Sequence, residues 1–176
     1  MAHILIDGYN LIRSSLPLIK KESASLEAGR LALIRKLAEY KKIKGHAVTV
    51  VFDAALTDNL TVEEDRIAGI RILYSEGGQT ADEVIIKLAQ ELKDKAVVVS
   101  SDRAILQAAR MAGSAVMESE AFEKKLNEVA RYGGEPPVEA VHEPPLPHKR
   151  WITMKKGPAK RLPKAKRRAL TKLRDI

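Results

Sequence analysis

Short apolar runs alternate along this chain with longer stretches in which apolar residues return every three or four positions. The runs AHILI (2–6), AVTVVF (47–52), IRILY (70–74), AVVVS (96–100) and SAVM (114–117) are short and mostly β-branched, and are read as strands. Residues 26–45 place Leu26, Leu33, Ile34, Leu37 and Ala38 on one face at helical spacing, with Gly45 as the stop. Further helices are expected from 80 to about 93, from 103 to 113 and from 119 to about 131. Strands that are apolar throughout and separated by helices predict an α/β domain with a mainly parallel sheet covered on both faces. Five prolines between positions 136 and 147 preclude a regular helix there. The expected organisation is a domain at 1–132, a Pro-rich linker at 133–148 and a tail at 149–176, in which PKAKRRALTKLR has the pattern of one short helix.

Charge separates the tail from the body. From Pro136 onward there are twelve Lys and Arg against three acids, a net +9, which leaves −1 of the total +8 for the first 135 residues. A near-neutral body with a dense basic extension predicts that the tail meets a polyanion, because Lys and Arg bind phosphates largely irrespective of sequence. The candidate polyanion contacts, which would be RNA contacts if the partner is RNA, are Lys149, Arg150, Lys155, Lys156, Lys160, Arg161, Lys164, Lys166, Arg167 and Arg168, with Trp151 as a stacking surface for a base. The competing expectation is that Trp151, Ile152, Leu162 and Leu170 fold back onto the body, making the tail a strap. No apolar run approaches the roughly 18 residues that span a bilayer. The opening run is broken at Asp7 and lacks a basic start, unlike an export signal, so a cytoplasmic protein is expected. With no cysteine in the chain, disulfides, thiolate metal sites and a cysteine nucleophile are excluded.

The chemistry is carried by acids at strand ends. Asp7 follows HILI, Asp53 ends the second strand in VVFDA and Asp102 follows VVVSS, so three strands each deliver a carboxylate to one rim, the rim where α/β folds bind ligands. Asp82 joins them if its helix begins at that rim. Clustered carboxylates repel one another unless a cation sits between them, and hard oxygen donors favour Mg²⁺ or Mn²⁺. Such an ion activates water and neutralises charge on a phosphate, which is hydrolytic phosphodiester chemistry. Asn10, three residues after Asp7, is placed to orient it. Structural roles compete at each position: TADE (80–83) fits a capping box of Thr80 and Glu83, Asp102 suits the N-cap of the next helix, and Asp53 suits a turn.

Taken together, ILIDGYNLI, VTVVFDA, GGQTADEVI and VVVSSDRAI, in this order and spacing, resemble the YacP-like branch of the NYN domains within the PIN-like nuclease superfamily. The resemblance spans residues 2 to about 131. It implies a three-layer α/β/α sandwich, a metal-dependent endoribonuclease, and metal-site acids at Asp7, Asp82 and Asp102 with Asn10 beside them and Asp53 as a further candidate. One relative in that family is a ribosome-associated endoribonuclease that cuts messenger RNA, so mRNA and the ribosome are the partners that the resemblance suggests. A haloacid-dehalogenase phosphatase would need a second Asp where Tyr9 stands, and no Gly-rich phosphate loop follows a strand. The remaining rival is a non-catalytic RNA or ribosome binder of the same fold.

Overall fold

The apolar runs become strands, and the strands form one sheet. The computed structural model describes residues 1–53, 64–75, 78–132 and 173. Six strands are present: β1 (His3–Asp7), β2 (Ala47–Phe52), β3 (Glu64–Ile67), β4 (Ile70–Tyr74), β5 (Ala96–Val99) and β6 (Ala115–Met117). They lie in the order β3-β4-β2-β1-β5-β6, and only the β3–β4 pair is antiparallel. β1 is central, with His3 opposite Ala47 on one side and Ala96 on the other. Chain order reverses there: β2 and β4 extend one way from β1, β5 and β6 the other, and beyond the carboxyl ends of β1 and β5 is the position at which open α/β sheets have their ligand crevice.

Helices cover both faces, because the central strands are apolar on both. Ile4, Ile6, Val50 and Phe52 pack with Leu33, Leu37, Tyr40, Phe122 and Leu126, which come from α3 (Leu26–Lys44) and α6 (Ser119–Tyr132). Leu5, Val51 and Val98 point the other way, against Ile85 and Ala89 of α4 (Ala81–Leu92) and Ile105 and Ala109 of α5 (Arg103–Met111). The result is the three-layer α/β/α sandwich. α3 begins on the Ser25 side chain and ends at Gly45, whose φ of 71° is the left-handed conformation that glycine adopts without strain.

Three elements differ from the sequence expectation. α1 (Gly8–Arg13) and α2 (Leu16–Glu22) fill the stretch between β1 and α3, and β3 forms within and just after the polar segment that precedes IRILY. All four β3 residues are exposed, so β3 has no apolar period to betray it; it is held by pairing with β4 and by Arg71, which donates to both carboxylate oxygens of Glu64 at 2.8 and 2.9 Å. Leu173, described alone beyond Tyr132, is helical and packs half-buried against the α3–α6 core. The rest of the linker and tail lies outside the described residues, as does the stretch 54–63.

Candidate active site

Asp7 ends a buried strand and simultaneously caps a helix, and that double duty explains the break in HILIDGYN. Its side chain accepts the Asn10 backbone N–H at 3.1 Å, closing the first turn of α1. The Asn10 side-chain amide donates to the other oxygen, and Ser100 Oγ donates to that same oxygen at 3.3 Å. Asp7 is only 6% exposed. Burial pushes its carboxyl above the usual range, the bonds from Asn10 and Ser100 pull it back in part, and the charge of Asp102 adds to the rise. Glycine is required at position 8 by space: a Cβ there would stand 2.3 Å from Cε1 and 2.5 Å from Cδ1 of Phe52. Tyr9 packs edge-on to that ring at 5.2 Å between centroids.

β5 delivers the second half of the rim. Ser100 Oγ also accepts the Asp102 N–H at 3.0 Å, and Ser101 Oγ donates to Asn10 Oδ1 at 3.2 Å, so one polar network joins the ends of β1 and β5. Asp102 Oδ1 caps α5 by accepting the N–H groups of Ala104 at 2.6 Å and Ile105 at 3.4 Å. The capping box predicted for α4 is present, with Thr80 and Glu83 bonded reciprocally. It leaves Asp82 exposed in the first turn of α4. The Asp82 carboxyl is raised first by partial burial and then by the charges of Asp7, Asp102, Asp53 and Glu83. Asp53, half-buried at the end of β2, accepts from Ser75 Oγ at 3.4 Å. Asp7, Asp53, Asp82 and Asp102 therefore share one electrostatic neighbourhood.

Among the described residues no three His, Cys, Asp or Glu side chains are gathered tightly enough to hold a metal ion by themselves. The donor set nevertheless suits a hard divalent cation, since Mg²⁺ is usually held by one or two carboxylates while keeping several waters. None of Asp7, Asp82 and Asp102 makes an ion pair among the described residues; Asp7 and Asp102 are held there by neutral donors. Sequence reasoning missed Ser100, Ser101 and Ser75. The first two were signalled by a pair of hydroxyls standing between a strand end and an acid; Ser75 carried no such signal. The tail candidates Lys149, Arg150, Trp151, Lys155, Lys156, Lys160, Arg161, Lys164, Lys166, Arg167 and Arg168 lie outside the described residues.

A mostly parallel six-stranded sheet between two helical layers, with acids at its carboxyl rim, is the NYN/PIN-like fold. A family model for the YacP-like NYN domain matches residues 4–175, and this chain belongs to that family. The match continues through the Pro-rich stretch and the basic tail, beyond the 131 or so residues that carry the motifs. The uncharacterized protein YacP of Bacillus subtilis (strain 168) is 38% identical over 96 residues, 54% of this chain and 56% of that protein, so the match spans little more than half of the relative. The crystal structure of Rae1 (YacP) from Bacillus subtilis superposes with a TM-score of 0.64 at 32% identity, covering 74% of this chain and 76% of that one. A tryptophan-to-leucine mutant of the same protein gives 0.61 at 32% identity, covering 74% and 78%.

Proposed function

We propose that this protein is a metal-dependent endoribonuclease that hydrolyses RNA phosphodiester bonds, working in the cytoplasm with Mg²⁺ or Mn²⁺. The observation that carries the reading is the bonded network that ties Asp7, Asn10, Ser100, Ser101 and Asp102 together at the carboxyl ends of β1 and β5, with Asp82 raised first by partial burial and then by the charges of Asp7, Asp102 and Asp53, and no described cation paired with Asp7, Asp82 or Asp102. Asp7, Asp82 and Asp102 would hold the ion, with Asp53 at the edge of the set. When bound, the ion supplies Lewis acidity toward the phosphate oxygens and lowers the pKa of a bound water. The chain's own groups do the rest. Asn10 and Ser100 fix the rotamer of Asp7, so its carboxylate does not have to be reordered when substrate arrives. Asp82, exposed in the first turn of α4, is raised first by partial burial and then by its acidic neighbours, a repulsion that a bound cation would relieve. Messenger RNA, including mRNA on the ribosome, is the substrate we favour.

A second reading, a non-catalytic RNA or ribosome binder, draws on the absence of a ready-made three-acid grouping among the described residues. One experiment separates the two. The purified full chain, given a labelled RNA with Mg²⁺, with Mn²⁺ or with EDTA, is expected to cut internally with either ion and to stop in EDTA. Binding without cleavage under all three conditions would establish the binder and end the enzyme reading.

A further inference from the structure

Two arginines sit on the same tyrosine beside the acid rim, and neither has a counter-ion among the described residues. The Arg13 guanidinium lies over the Tyr9 ring, 5.7 Å from its centroid. Arg30, from the first half of α3, donates from Nη1 to the Tyr9 hydroxyl at 3.2 Å and lies over the Tyr74 ring at 5.9 Å. Phe52 joins the rings into one platform, edge-on to Tyr9 and stacked at 6.1 Å on Tyr74. Each of the three aromatics adjoins a rim residue in the chain: Tyr9 precedes Asn10, Phe52 precedes Asp53 and Tyr74 precedes Ser75. The platform is thus on the same end of the sheet as the acids, on the α1–α3 side.

Neither Arg13 nor Arg30 forms an ion pair with a described carboxylate. Arg30 is a half-buried residue that spends one N–H on a neutral hydroxyl while its aromatic neighbour offers only a weak face contact. A guanidinium stacks on aromatic faces and carries five N–H donors in the planar geometry that matches a phosphate bidentately, so the single bond from Arg30 Nη1 to Tyr9 leaves it further donors. Tyr9 and Phe52 are too deeply buried to stack a base, at 4% and 0% exposure, and the half-buried Tyr74 ring has Arg30 over its face, so what the platform offers outward is chiefly charge.

We propose that Arg13 and Arg30, both seated on Tyr9, form a phosphate subsite that holds the RNA backbone beside the acid rim. This rests on the proposed function, since it assigns that site its grip on the strand. The pair sets position and not sequence, because phosphate contacts carry no base information. Arg13 lies six residues after Asp7, about 9 Å along α1, so the anchor and the acid occupy opposite ends of one short helix. Repulsion between the acid cluster and the incoming strand is countered on its flank before any metal contact is made.

The test measures binding of the full chain to a labelled single-stranded RNA in EDTA, where no cleavage occurs, across a range of salt. Arg13→Gln and Arg30→Gln are each expected to lower the log–log salt slope by about 0.7, and the double variant by about 1.4. Binding should weaken several-fold to the same extent for RNAs of different sequence. Arg30→Lys, which keeps the charge but loses the fork, should retain the slope and lose affinity. Arg13 is exposed, so Arg13→Gln should melt with the wild type and decides the matter if Arg30→Gln unfolds. A wild-type slope in a folded Arg13→Gln protein overturns the proposal, as does unchanged RNA binding accompanied by lost binding to polyglutamate, which would point to an acidic protein partner. Reduced slopes in a protein that cuts no RNA with Mg²⁺ or Mn²⁺ would sustain the subsite and remove the nuclease.

Discussion

Replacing Gly8 by Ala sets two physical effects of opposite sign against each other. Alanine is the better helix former, and Gly8 opens α1 without a positive φ, so backbone entropy alone predicts a gain of about 0.5–1 kcal/mol. The added methyl, however, would lie 2.3, 2.5 and 2.9 Å from three carbons of the Phe52 ring, where apolar contacts normally settle at about 3.5–4.0 Å. The ring has nowhere to retreat. Phe52 is fully buried and braced by Tyr9 and Tyr74. Overpacking costs about 1–3 kcal/mol, and an overlap this deep against a braced ring lies in the upper half of that range, which leaves a net loss of about 1–2 kcal/mol after the full entropic gain of about 1 kcal/mol. For a chain of this size that is a fall of about 2–8 °C in Tm, read by calorimetry or circular dichroism. Phe52→Leu should relieve the overlap, so the double variant should melt higher than the sum of the single effects predicts, with a coupling of about 0.5–3 kcal/mol. Turnover should fall further than stability, since Asp7 and Asn10 flank the displaced residue. A Gly8→Ala protein that melts at or above the wild type would refute the steric account of the DGYN motif.

Asp7→Asn should abolish cleavage while the protein stays folded, checked by activity and melting on the same sample. The Asp7 and Asp82 carboxyls are raised in the folded state, so the stability they contribute is present below the ordinary carboxylate range and is lost as pH rises through the raised values. In metal-free buffer the Tm of Asp7→Asn relative to wild type should therefore climb as pH rises above the ordinary carboxylate range, and a gap that shrinks in that direction would contradict the assignment. Mg²⁺ or Mn²⁺ should raise the wild-type Tm through about 2.7 kcal/mol of binding linkage at 100 times Kd, and should do far less for Asp7→Asn. Deleting everything after Pro147 should flatten the salt dependence of RNA binding by about 0.7 for each phosphate that the tail neutralises, with turnover at saturating short RNA unchanged. The same truncation should lower Tm by a few degrees, because Leu173 leaves its seat on the α3–α6 core; an unchanged slope with reduced Tm would make the tail a strap.

Elements whose signal is local were legible in the sequence. The apolar runs of β1, β2 and β5 have the composition of strands buried on both faces, the helical spacing and Gly45 defined α3, and the TADE box by itself marked the start of α4. Asp7 and Asp53 stand directly after apolar runs and Asp102 follows one after two serines, which is what marked them as candidates. β3 and the two short helices α1 and α2 were not legible: an exposed edge strand has no burial period, and six or seven residues hold too few turns to show one. The tertiary structure alone decided which acids share a field. Asp7 points to the α4 side by strand alternation, and the reversal of strand order at β1 brings Asp82 and Asp102, 75 and 95 positions away in the chain, to the same crevice. It also decided that Ser100, far along the chain, completes the Asp7 network, and that Arg30 reaches Tyr9 and Tyr74. Such meetings depend on topology and register, where a slip of one residue in a strand would turn each side chain to the opposite face, and no local pattern of residues encodes them.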